Sequence, residues 1–190
     1  MPRRPAYDRD DLINQAKDLF WRQGWAGTSL KDLEAALELN PGSIYAAFGS
    51  KSALFELALD RYAEDGLARL AALVSELGPL DALKCYPKLA ISKAEAPAKA
   101  CMLSKTLLEL HAQGHSLAEV ASGHLLKMET AFSALFAQCQ SVGLIAMTHD
   151  PDVLARRYQS DLLGLRISAE RKDVDADAIA QEIADGIARL

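Results

Sequence analysis

The sequence predicts an all-α fold, and three observations carry that expectation. Apolar residues recur at helical spacing from end to end, as in Leu30, Leu33 and Leu37 near the start and Ile179, Ile183 and Ile187 near the finish. No alternation of β-branched residues lasts long enough to suggest a sheet. Half of the residues are hydrophobic but only 6% are aromatic, the excess being Ala and Leu, which favour helices. The 190 residues suffice for one large domain or two small ones sharing a core. The helical patterns number about nine and divide into a head, residues 1–49, and a body, residues 50–190.

Taken in order, residues 1–6 precede any helix signal and form an expected arm. Its Arg3 and Arg4 suit a phosphate or the minor groove as well as they suit a solubilising tail. Asp8 is placed to cap the first helix, with Asp10 and Asp11 in its first turn against the helix dipole. Leu12, Ala16, Leu19 and Phe20 supply its apolar face. Trp21 and Trp25 are candidates for a base-stacking platform or for the core. Ser29 caps the second pattern, with Asp32 three residues on, close to a capping box. A break at Glu38-Leu39 leads to Asn40-Pro41, a cap residue followed by a proline at the first helical position. Ile44 and Phe48 then face inward, leaving Ser43, Tyr45, Ala46 and Ala47 outward. Two short helices joined by a tight turn form a helix-turn-helix, whose second helix is the candidate major-groove reader.

This run resembles the DNA-binding segment of the TetR family of bacterial transcriptional regulators. The resemblance rests on Gly24, Trp25, Thr28, the Leu33–Ala36 helix, Gly42-Ser43-Ile44-Tyr45, Phe48, Ser50-Lys51 and Leu54-Phe55, and is specific over residues 20–55. It implies that Trp25 is a core plug, and it leaves Trp21 undecided. It also implies contact with operator DNA through Thr28, Ser29, Pro41, Gly42, Ser43, Tyr45, Ala46 and Lys51, with Gly42 permitting close backbone approach. Three departures stand out. Glu38 replaces the usual turn glycine, Pro41 an often-found lysine, and Ala46-Ala47 larger side chains. The reading helix is therefore poor in hydrogen-bonding groups, and discrimination is expected from Ser43, thymine-methyl contacts and DNA shape.

A fourth helix is expected from Gly49-Ser50 to about Val74. It links the head near Lys51 to the body near Tyr62. Gly78-Pro79 precedes a helix from Leu80 to Ile91, and a loop containing Pro97 leads to another expected from Ala98 to His111. The longest pattern runs from Ser116 to Val142, and the last two from Asp152 to Ser168 and from Ala176 to Ala188. The family resemblance makes the body a ligand-binding and dimerisation unit. Tyr62, Tyr86, Cys101, Leu107, Phe132, Phe136 and Tyr158 are candidate walls of its pocket, since aromatic and apolar surfaces dominate such sites. Leu154, Leu162, Leu165, Ile179, Ile183 and Ile187 are candidates for the dimer interface, because the last two helices carry wide apolar faces that need cover.

Composition limits the alternatives. The net charge of −5 lies wholly beyond residue 51, since residues 1–51 carry seven basic and seven acidic side chains. A neutral head on an acidic body fits local phosphate contact without general polyanion affinity. No signal-peptide core or long apolar run is present, so a cytoplasmic protein without a membrane partner is expected. Cys85, Cys101 and Cys139 are odd in number and far apart, which reads as reduced thiols. His111 and His115 lack a third ligand, so neither metal nor cofactor is expected. No acid/base pair, nucleophilic triad or phosphate loop points to an enzyme. The expected function is a homodimeric repressor released from a palindromic operator by a small-molecule ligand. The alternatives are a helical carrier of hydrophobic ligands without DNA binding, and an electrophile sensor acting through Cys101, with Lys105 one turn away.

Overall fold

A computed structural model describes residues 8–92 and 96–190. The arm with Arg3 and Arg4 lies outside the described residues. Within them the chain forms nine α-helices and no strand: α1 (Arg9–Gln23), α2 (Leu30–Leu37), α3 (Pro41–Phe48), α4 (Lys51–Leu77), α5 (Pro79–Ile91), α6 (Met102–Leu110), α7 (Ser116–Ser141), α8 (Pro151–Ser168) and α9 (Ala176–Ile187). A 3₁₀ turn, His111–Gln113, follows α6.

Local chemistry sets most of the boundaries. Asp8 accepts from the Asp10 amide at 2.9 Å, and Asn40 accepts from the Ser43 amide at 2.9 Å. The capping box is complete: the Ser29 hydroxyl accepts from the Asp32 amide, and the Asp32 carboxylate accepts from the Ser29 amide at 2.7 Å. These bonds hold the Asp32 carboxyl below the usual carboxylate range. Pro41, Pro79 and Pro151 each stand in the first turn of a helix, where a missing N–H leaves no bond unmade.

Glu38 ends α2 in the left-handed region, φ 52° and ψ 36°, the only non-glycine residue with positive φ among those described. Glu38→Gly should therefore raise stability by about 1 kcal/mol, read as a higher denaturant midpoint at unchanged m-value.

α6 starts four residues later than periodicity suggests. A helix from Ala98 would use the carbonyls of Lys99 and Ala100 internally. They instead accept from the Arg166 guanidinium and the Trp21 indole, each at 2.7 Å, while Glu170 takes both of their amides. Pro87 lies inside α5 and cannot donate to the Leu83 carbonyl one turn back. The buried Tyr158 hydroxyl donates to that carbonyl at 2.6 Å and fills the gap. Tyr158, a candidate pocket wall by sequence, is thus a structural tyrosine.

Buried apolar side chains form two clusters that divide along α4 and α7. One joins α1, α2 and α3 to the first half of α4, to α6 and to the start of α7. The other joins the far end of α4 to α5, the second half of α7, α8 and α9, with Phe132, Phe136 and Tyr158 in edge-to-face contact. α4, about 40 Å long, belongs to both. No helix among the described residues is long and apolar enough to cross a membrane.

Candidate nucleic-acid interface

α3 is held from behind and open in front. Ile44 and Phe48 are buried in the head core, Phe48 beneath the Arg9 guanidinium at 5.3 Å. Pro41, Gly42, Tyr45 and Ala46 are exposed and Ser43 partly so, with half of the Tyr45 surface open. A Cβ on Gly42 would make only an ordinary contact, 3.4 Å from Asn40 Oδ1. The chain itself does not require glycine there; an object approaching the start of α3 closely would.

Two residues of the expected contact set serve the head from within. Thr28 is 1% exposed and donates its hydroxyl to the Gly24 carbonyl at 2.7 Å, closing the α1–α2 connection. Lys51 donates to the Trp25 carbonyl at 2.7 Å, with its ammonium 4.2 Å from the centre of the Trp25 ring. Burial lowers its pKa, and the neighbouring Glu109 works against that shift. Lys51 is only partly exposed, so a phosphate contact would require it to leave Trp25. Ser29 is exposed but engaged in its capping box.

Neither tryptophan offers a platform for bases. Trp25 packs edge-to-face against Phe55 and His115, as a core plug does. Trp21 is buried against Tyr62. His115 meanwhile caps α7, its Nδ1 accepting from the Leu117 amide. Among the described residues no group of three His, Cys, Asp or Glu is placed to hold a metal ion.

α1 pairs with α4 through Lys17–Asp65 and Arg61–Asp10, and further polar ties between head and body come from α6. Glu109 accepts from the backbone amides of Trp25 (3.0 Å) and Ala26 (2.7 Å). Lys105 donates to the Trp21 carbonyl at 2.8 Å, covering the end of α1. Lys105, one turn from Cys101 in the sequence, thus directs its ammonium to the end of α1.

In the body, the expected pocket walls separate. Tyr62, Tyr86, Cys101 and Phe132 line one inner cavity of about 60 Å³. Leu107 packs in the head-side cluster instead, and Phe136 and Tyr158 lie in the other core. The cavity's polar members, Arg69, His124, Gln159 and Arg166, come from three helices and carried no local sequence signal. The α8–α9 groove, about 650 Å³, gathers Leu154, Leu165, Ile179, Ile183 and Ile187 of the expected interface set. Leu162 is 5% exposed and lines the inner cavity, so it is core of its own chain. Gly164 and Gly186 border the groove, and a Cβ on either would meet nothing in this chain.

Residues 12–58 match the family model of bacterial regulatory proteins of the tetR family. The chain is 28% identical over 168 residues to the HTH-type transcriptional repressor ComR of Escherichia coli strain K12, covering 86% of this chain and 80% of that one. The fold matches a TetR-family regulator from Cytophaga hutchinsonii with a TM-score of 0.86 at 22% identity, over 96% and 94% of the two chains. It also matches a cysteine mutant of the TetR-family regulator CifR, complexed with 26-bp double-stranded operator DNA. That similarity has a TM-score of 0.80 at 28% identity and covers 98% of both chains.

Proposed function

The chain belongs to the TetR family of DNA-binding transcriptional regulators, and on that premise we propose that it is a homodimeric, ligand-released repressor acting in the cytoplasm. The observation that carries the reading is the outward face of α3, whose Gly42, Tyr45 and Ala46 are exposed while Ile44 and Phe48 anchor the helix. Pro41, Ser43 and Ser29 flank that face. Apolar contact with thymine methyls and the shape of the groove then dominate discrimination, since Ser43 is the only hydroxyl on the reading helix besides Tyr45.

The α8–α9 groove supports the dimer. Two copies meeting there would cover Leu154, Ile179 and Ile183, and Gly164 and Gly186 would let the partner's helices approach. Such a two-fold pair presents two reading helices to a palindromic operator, with half-sites one helical turn, about 34–36 Å, or a multiple apart. A carrier without DNA binding would have no use for an exposed, well-capped α3.

Gly42→Leu tests the reading. A Cβ there meets only Asn40 Oδ1, at an ordinary 3.4 Å, so the melting temperature should change little. Operator affinity, followed by fluorescence anisotropy, should fall by roughly tenfold or more, the loss of one close approach in the groove. Unchanged affinity would remove α3 from the interface.

A further inference from the structure

The charged side chains that line the inner cavity, Arg69 and Arg166, are of one sign. The inner cavity has walls from Ala63, Leu103, Leu125, Met128 and Phe132, which make it chiefly apolar. A more polar cavity of about 420 Å³ adjoins it, and the residues common to both are Arg69, Tyr86, Ala90 and Arg166. Arg69 and Arg166 therefore stand at the neck in the sense that each borders both cavities. Among the described residues neither forms an ion pair; of the two acids lining the outer cavity, Asp65 is held by Lys17 at 2.6 Å, and burial raises the Asp18 carboxyl above the usual carboxylate range. The guanidinium of Arg166 donates from Nε to the Lys99 carbonyl, lies over the rings of Trp21 and Tyr62, and neighbours the Tyr62 hydroxyl.

Beside it the Tyr62 hydroxyl is buried near the Cys101 thiol and the Met102 backbone, with no hydrogen bond of good geometry to either. A buried hydroxyl left unsatisfied costs free energy that a phenylalanine would not. Burial pushes its phenol well above the ordinary range, so it stays a neutral donor. Two guanidinium groups and an unused buried donor converge on a chiefly apolar recess. A carboxylate accepts from both kinds of group, and arginine matches its two oxygens in a fork.

We propose that the ligand is a small amphipathic carboxylic acid, held with its carboxylate at the neck between Arg166, Arg69 and Tyr62 and its apolar part in the inner cavity. This rests on the ligand-released reading given above. By the space one water needs, the inner cavity admits an apolar part of about four or five non-hydrogen atoms, a short chain or part of a ring. The same site supplies a route to the head. Arg166 holds the Lys99 carbonyl just ahead of α6, and α6 holds the end of α1 through Lys105 and Glu109. A carboxylate competing for Arg166 loosens the first of these bonds, so acid binding and DNA binding oppose each other.

Calorimetric titration of the DNA-free protein with butyrate and benzoate, against butyramide and benzamide, tests the proposal. At least one acid should bind while its amide does not. Tyr62→Phe should weaken that acid by roughly ten- to hundredfold, the loss of a hydrogen bond to a charged group, while leaving the free protein as stable or more so. Arg166→Gln should abolish acid binding, with circular dichroism verifying its fold. Acids and amides binding alike, neither acid binding, or an unaltered acid affinity in Tyr62→Phe would each overturn the proposal. Because the titration uses no DNA, its failure leaves the regulator reading standing. Acid binding by a protein that retains no operator would sink that reading instead.

Discussion

Ile183→Glu is expected to give a folded monomer that has lost operator binding by a factor of ~10²–10⁴, the contribution of simultaneous engagement by two heads. Ile183 is only partly covered by its own chain and lines the open α8–α9 groove. A carboxylate there is solvated in the monomer and unpaired in the dimer, so the charge acts against association alone. Leu162→Glu provides the contrast. Its side chain lies in the body core beside the inner cavity, and a buried, unpaired carboxylate there should unfold the chain. Sizing and circular dichroism separate the two results. A folded Ile183→Glu protein that remains dimeric would exclude the groove as the interface.

Glu109→Ala is expected to cost about 1–2 kcal/mol of stability and to uncouple ligand from DNA. The carboxylate serves two backbone amides at once, Trp25 and Ala26, in the segment that leads from α1 toward the reading helices. Removing it leaves the part-buried Trp25 amide unsatisfied, whereas the exposed Ala26 amide can turn to water, which limits the cost. Operator affinity should change little in the absence of ligand. The ratio of affinities with and without ligand should shrink toward one, since of the bonds from α6 to the head only that of Lys105 would remain. Glu109→Gln, which keeps one acceptor, should fall between. A full ligand response in Glu109→Ala would shift the coupling to α4.

What was legible in the sequence was local. Asp8, Ser29, Asn40 and the prolines at helix starts announce their helices because a cap acts within three residues. The outward set on α3 follows from the period of Ile44 and Phe48 alone. Long-range commitments were not legible. Thr28 and Lys51 read as surface residues until the Gly24 and Trp25 carbonyls are folded back onto them. The start of α6 depends on Arg166, Trp21 and Glu170, all distant in the chain, and Tyr158 was assigned to a pocket because its role depends on a carbonyl freed by Pro87. Cys101, Tyr62, Tyr86 and Phe132 line the inner cavity, and their apolar or aromatic character is visible in the sequence. Arg69 and Arg166 were not, since a charged residue in a helical pattern reads as solvent-facing.

Selection of bound sequences from random double-stranded DNA by the purified protein bears most directly on the central claim, that α3 of two joined copies reads an operator. The account predicts enrichment of a palindrome with half-sites one helical turn or a multiple apart, abolished by Gly42→Leu and by Ile183→Glu. Recovery of no common sequence, or of a motif that Gly42→Leu retains unchanged, would contradict it.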